Sequence, residues 1–251
     1  MSPMAIGWIV FALVFGSALL AMFLHSVLPE EHLSSDSKDV VKLGIALIAT
    51  MSALVLSLLI ASAKSAFDTR SNQLVEASAD MILLDRALDR YGPETKEARS
   101  LLRRSVAATI ERFWPADGAK PIAIDPAASP VEALYDKIEA LSPQSDLQRS
   151  MQSQALTLAG TVARTRLLLF EHLGTSIPIP FLVVLVFWLC IIFGSFGLFA
   201  PRNATIITVL CVCALSVAGA IFLILELDRS FEGLLQVSGA PLRAALAQLG
   251  R

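Results

Sequence analysis

The feature that most constrains this chain is an uninterrupted helical pattern over residues 40–74. It starts as an apolar run of membrane-spanning length, and from Lys64 onward it becomes polar without a Gly or Pro to end it. About 20 apolar residues cross the hydrocarbon core of a bilayer, and the polar residues that follow keep helical spacing. We therefore predict one long helix that crosses a membrane and continues into the cytosol.

The membrane half of this helix has two unlike faces. Leucines cover one part, whereas small and polar residues recur three or four positions apart and share a stripe. The stripe consists of Ala46, Ala49, Thr50, Ala53, Ser57, Ala61 and Lys64. A helix that met only lipid would have no use for it, so we expect it to face other helices or water. It is either a close-packing seam of a helix bundle or the wall of a pore.

Composition places the whole chain in a membrane. Hydrophobic residues make up 55% of it and charged residues 17%, and the mean hydropathy is +0.66. These values are too apolar for a soluble domain. We predict an all-α integral membrane protein with four transmembrane helices, at about residues 4–28, 40–63, 177–199 and 204–227. In the third of these runs, Gly194 and Gly197 leave a thin surface that another helix can approach closely.

The hydrophilic region between the second and third spans reads as helical throughout. We predict a transmembrane hairpin, a cytosolic helical domain, a second hairpin and a cytosolic C-terminal segment, over residues 1–63, 64–176, 177–227 and 228–251. The C-terminal segment is expected to pack on the helical domain or to lie at the membrane surface. Basic residues near the span ends are more numerous on the side of the large domain, which puts it and both termini in the cytosol.

Two groups of acidic residues stand at the ends of the predicted spans. Glu30, Glu31, Asp36 and Asp39 make the first loop net acidic, either as an outer vestibule that concentrates cations or as an ordinary solvated turn with a helix cap. Glu226 and Asp228 end the fourth span and are candidates for an inner mouth. The net charge of −2 argues against a nucleic-acid partner that binds through strong electrostatic attraction.

Motifs for catalysis or cofactor binding are missing from the sequence. It has no phosphate-binding loop, no nucleotide-binding glycine turn and no HExxH. The spans carry no Asp, Glu, Lys or Arg at mid-depth, where a proton relay or an intramembrane protease needs them. The three cysteines fall in apolar runs and do not suggest a metal site. We expect neither an enzyme nor a bound cofactor or metal.

Four stretches resemble the bacterial bestrophin-like family of four-span membrane proteins. They are SSDSKDVVKLGIALIATMSALVLSLLIASAKSAFDT, LLDRALDRYGPETKEAR, FGLFAPRNAT and IFLILELDRSFEGLLQVSGAPLRAALAQLG. The order of two spans, a helical domain and two spans is similar to that of the bestrophins, pentameric ion channels whose second helix lines the pore. No clear counterpart of the bestrophin acidic calcium clasp is present, so the resemblance does not extend to calcium gating.

The resemblance implies a homopentamer in the bacterial inner membrane. Its second spans would surround a central axis, along which small ions would pass. The residues expected to line the pore are Ala46, Thr50, Ala53, Leu54, Ser57, Ala61, Lys64 and Asp68. Charge selectivity stays open, because Lys64 favours anions and the acidic loops favour cations. The alternative is a non-conducting membrane scaffold or signalling protein, with Leu84, Leu88 and Leu101 at a partner or subunit interface.

Overall fold

Every regular element in the described part of the chain is a helix. The computed structural model describes residues 2–25, 35–115, 130–171, 179–201, 203–231 and 233–250. The α-helices are α1 (Pro3–Leu24), α2 (Ser35–Tyr91), α3 (Lys96–Phe113), α4 (Pro130–Glu139), α5 (Asp146–Glu171), α6 (Ile179–Phe199), α7 (Ala204–Asp228) and α8 (Ala240–Gln248). The all-α prediction is confirmed for these residues.

Four of these helices, α1, α2, α6 and α7, are long and apolar enough to cross a membrane. This agrees with the four predicted spans. The predicted first span ends at residue 28, whereas α1 ends at Leu24, and residues 26–28 lie outside the described part. The long helix predicted over residues 40–74 is confirmed as a part of α2, whose 57 residues reach about 85 Å at 1.5 Å per residue.

The chain divides into two units that are each built from separated stretches. The first unit contains residues 1–67 and 175–235, and the second contains residues 68–174 and 236–251. All four apolar helices contribute to the first unit, and α2 continues into the second.

The first unit is organised around α1, which packs against both α6 and α7. Apolar residues at helical spacing fill the contact, including Val14 on α1, Leu185 on α6 and Ile221 on α7, and all three are fully buried. The thin surface predicted on α6 lies at this contact. A Cβ on Gly197 would overlap the backbone carbonyl of Ala18, so only glycine permits the observed approach of α1 and α6.

In the second unit, α3 packs against α4 and α8, and α4 packs against α5. A 3₁₀ turn over Pro93–Thr95 precedes α3, which begins at Lys96. The cause lies at the preceding corner. Gly92 adopts a φ of 136°, and the Thr95 hydroxyl donates to the Leu88 carbonyl at 2.6 Å, which closes the end of α2 before α3 begins.

From residue 236 onward the C-terminal segment belongs to the second unit, where α8 packs against α3, whereas residues 228–235 belong to the first unit. The Trp114 indole donates from Nε1 to the Val237 carbonyl at 2.9 Å, and its ring lies against Gly239. At the far end, the Gly250 amide donates to Asp85 Oδ2 at 3.1 Å. Helix α8 is therefore fixed to its unit on both sides.

Candidate functional site

Three faces can be distinguished along the membrane half of α2. The first face lies in the core that α1, α6 and α7 share, and it carries Ile48, Ser52, Leu59 and Ala63. The second is the exposed small and polar stripe. The third is an exposed row of large apolar residues, which are Leu43, Leu47, Met51, Leu54 and Leu58. The spacing of three and four residues keeps each set on one side of the helix.

The predicted pore-lining residues fall on the exposed surface of the subunit. Ala46, Thr50, Ala53, Leu54, Ser57, Ala61 and Lys64 are exposed, and Asp68 is half-buried in the second unit. Ala49 is the one stripe residue that packs against the core, because it lies on the side of Ile48 and Ser52. The structure therefore keeps the stripe away from the other helices of its own subunit.

The two hydroxyls of the stripe are turned back onto their own helix. Thr50 Oγ1 donates to the Ala46 carbonyl and Ser57 Oγ donates to the Ala53 carbonyl, both at 2.8 Å. A hydroxyl that donates its one proton to a backbone carbonyl can only accept further hydrogen bonds from its surroundings. The stripe therefore offers oxygen acceptors at two levels of the span. Further along, the Lys64 ammonium lies 5.8 Å from the centre of the Phe67 ring.

The acidic pair at the end of α7 is turned into the subunit. Glu226 and Asp228 are each 5% exposed. The Glu226 carboxylate accepts a hydrogen bond from the Leu234 amide at 2.8 Å. Their role at an inner mouth stays a prediction.

The acidic outer loop is only partly within the described chain. Glu30 and Glu31 lie outside the described residues. Asp36 and Asp39 belong to the first turns of α2, for which the structure describes the backbone alone. The predicted vestibule stays a prediction.

The leucines proposed for a scaffold interface are used within the subunit. Leu84 and Leu88 are fully buried in the second unit, and Leu101 is half-buried. The first two cannot form a surface for a partner, so this part of the scaffold interpretation is wrong. The pattern alone could not reveal it, because a helix stripe that packs on its own domain has the same period as one that binds another protein.

Two features of the structure were not anticipated from the sequence. One is the turn after α7, in which Gly233 has a φ of 106° and Leu234 and Leu235 are exposed. Its only sequence signal is a glycine followed by two leucines beyond the end of a span. The other is the anchoring of the C-terminal segment by Trp114, for which the sequence offers no local signal. Among the residues that the structure describes, no group of three or more His, Cys, Asp or Glu side chains could hold a metal ion.

A comparison with known families finds a match over most of the chain. The family described as Bestrophin-like domain matches residues 11–242, which include α2, α6, α7 and the part of α1 from Phe11 onward. Comparisons with curated proteins and with solved structures returned no match.

Proposed function

We propose that this chain, which belongs to the bestrophin-like family, forms an ion channel in which copies of α2 surround a central pore. Resemblance to the bestrophins implies five subunits. Ions would cross passively, along a path lined by the stripe from Ala46 to Lys64. Leu54, on the neighbouring row, is bulky enough to narrow this path and to control it by dewetting.

One observation carries the proposal, and it is the exposure of the small and polar stripe on the surface of the subunit. Only 11% of the most apolar window of α2 is buried, the lowest share among the four spans. Its large residues suit lipid or a neighbouring subunit, whereas its small residues and hydroxyls gain little from acyl chains. A ring of subunits accounts for both surfaces, because it lets the small and polar one face a hydrated axis.

The stripe has two chemically different sections: its hydroxyl oxygens within the span favour cations, and Lys64 at its cytosolic end favours anions. The acceptor oxygens of Thr50 and Ser57 can replace part of the water around a cation. A ring of Lys64 ammonium groups would attract anions instead. We infer that Lys64→Gln shifts the reversal potential under a salt gradient toward the cation equilibrium potential.

The remaining features of the proposal come from the sequence pattern and the family. We place the protein in the bacterial inner membrane with the second unit and both termini in the cytosol, because basic residues are more frequent at that side of the spans. Its partners are then lipid, further copies of itself and the permeant ions. We propose neither enzymatic activity nor nucleic-acid binding.

The direct test is single-channel recording from purified protein in planar bilayers. We expect discrete openings whose amplitude depends on salt concentration. Ser57→Lys should block these openings or alter their selectivity, because it places five ammonium groups in the pore. Silence from well-folded oligomers over a range of salt and pH would contradict conduction and leave the non-conducting scaffold.

A matched pair of serines tests the direction of the stripe independently of conduction. Ser57 is exposed, whereas Ser52, on the same helix, is 4% exposed in the core. In a background in which the three native cysteines are replaced by Ala, Ser57→Cys should react with a charged, water-soluble thiol reagent and Ser52→Cys should not. Equal protection at both positions would mean that the stripe is sealed against another helix or against lipid.

A further inference from the structure

The turn after α7 exposes two leucines at an unusual place. Leu234 is 74% exposed and Leu235 is 40% exposed. A single exposed leucine on a protein surface is ordinary. Here two adjacent leucines are exposed within seven residues of the end of a membrane span, and this position brings both side chains near the bilayer surface.

The backbone of the turn is folded back toward the span. Helix α7 ends at Asp228, yet the Leu234 amide donates to the carboxylate of Glu226, two residues before that end. Gly233 makes this possible. Its φ of 106° is disfavoured for any side chain, and a Cβ there would overlap Glu226 Oε2. The chain therefore returns to the level of the last turn of α7.

The depth of the last turn of α7 can be compared with that of Leu223, an exposed residue of the same helix. Leu223 on α7 is exposed, and it lies three residues before Glu226, which is about 4.5 Å along the helix axis. The interfacial layer on each side of the hydrocarbon core is of similar depth, roughly 5–7 Å. The exposed leucines of the turn thus lie within the interfacial layer if Leu223 lies at the edge of the core.

We propose that Leu234 and Leu235 insert into the interfacial layer of the bilayer, held at this depth by the bond between the Glu226 carboxylate and the Leu234 amide. The turn follows a membrane span and is bonded to the last helical turn of that span, which indicates lipid as the occupant. A buried carboxylate that fixes a lipid-contacting turn gives Glu226 a role other than contact with ions. This anchor does not depend on whether the protein conducts.

The test measures the depth of residue 234 in a bilayer. With the native cysteines replaced by Ala, a nitroxide is attached to Leu234→Cys in the full-length protein, which is reconstituted into vesicles of phosphatidylcholine and phosphatidylglycerol. Collision rates with oxygen, which enriches in lipid, and with a water-soluble nickel chelate are compared. The control is Ala244→Cys, which is exposed on α8. We expect oxygen to dominate by several-fold at 234 and the nickel chelate to dominate at 244.

Two results would overturn the anchor. Nickel accessibility at 234 equal to that at 244 would place the turn in water. Protection from both reagents, with spectral broadening that disappears when labelled subunits are diluted with unlabelled ones, would place it against a second copy of the chain.

A glycine substitution tests what holds the turn. Gly233→Ala in the labelled protein should raise the collision rate of the nitroxide at residue 234 with the nickel chelate several-fold relative to that with oxygen. The reason is that Ala is strained at this φ and its Cβ would overlap Glu226. Gly219→Ala is the control, since a Cβ built there meets no side chain and no other helix within 4 Å. An unchanged depth in Gly233→Ala would contradict the positioning role of Glu226. If that variant fails to assemble, the depth of the unmodified turn still decides whether the anchor exists.

Discussion

Gly197 shows how a single residue sets the spacing of the membrane helices. Its missing side chain lets the backbone of α6 reach the Ala18 carbonyl of α1. Nearby, the Ser17 hydroxyl lies 2.7 Å from the Val14 carbonyl of its own helix and 3.1 Å from the Cys190 carbonyl of α6, so a polar contact accompanies the close approach. In lipid, where no hydrophobic force pulls helices together, such packing is a main source of their association.

We expect Gly197→Ala to destabilise the first unit by about 1–3 kcal/mol, because the new methyl group meets rigid backbone and forces the helices apart. The change is read as a lower midpoint of thermal unfolding for the purified protein in detergent. Gly219→Ala serves as the matched control and should not lower the midpoint. Equal midpoints for Gly197→Ala and the unmodified protein would show that α1 and α6 can separate without cost.

A second prediction at the residue scale concerns pH. In the second unit, burial of the Asp80 carboxyl, and to a lesser degree the charge of Glu76, raise the pKa of Asp80 above its ordinary value of 3.8. A carboxyl with a raised pKa favours the folded state below its unfolded pKa, and this contribution is lost as pH rises through the folded pKa. Asp80→Asn should therefore raise the unfolding midpoint at pH 7, and the gain should shrink near pH 4.

The control for the pH experiment is Asp136→Asn, which removes an exposed carboxyl from α4. It should shift the unfolding midpoint little, and by the same amount at both pH values. A gain for Asp80→Asn that is the same at pH 4 and pH 7 would mean that the effect comes from packing and has no link to protonation.

Among the elements, α2 and α8 differ in how far the sequence determines them. The continuity of α2 over residues 40–74 and its small and polar stripe follow from the helical spacing of the sequence, whereas the full extent of Ser35–Tyr91 and the third face come from the structure. Which face meets its own subunit does not follow, since Ser52 in the core and Ser57 on the surface are the same residue type on one helix. Only the packing of α1, α6 and α7 decides between them, and a single helix pattern contains no information on its neighbours.

The attachment of α8 gives a prediction at the element scale. Trp114→Ala removes both the ring that covers Gly239 and the hydrogen bond to the Val237 carbonyl. Because Trp114 is only half-buried, we expect a loss of about 2 kcal/mol, less than for a buried tryptophan. That corresponds to roughly 30-fold faster amide exchange in α8. Trp114→Phe should give an intermediate rate, and unchanged exchange in Trp114→Ala would show that α8 is held by other contacts.

At the scale of the whole molecule, the proposed channel requires several copies of the subunit around one axis. The exposed leucines of α2 suit lipid, whereas the small and polar stripe gains little from contact with acyl chains. We expect native mass spectrometry from a mild detergent to give a mass of five chains. A monomer that keeps its fold under these conditions would contradict a pore on a shared axis.

The order of the spans and the family could be predicted from the sequence, whereas the turn at Gly233 could not. The shape of this turn depends on the Glu226 carboxylate, which belongs to α7.

The pairing of α1 with α6 and α7 also has a consequence for biosynthesis. The Ser17 and Cys190 residues that meet at this contact are separated by 173 positions. At roughly 5–20 residues per second, the ribosome needs on the order of 10–30 s to deliver the second after the first. During that interval α1 is in the bilayer without α6 and α7, so a newly made chain is most vulnerable to mispairing or proteolysis before its last third has been translated.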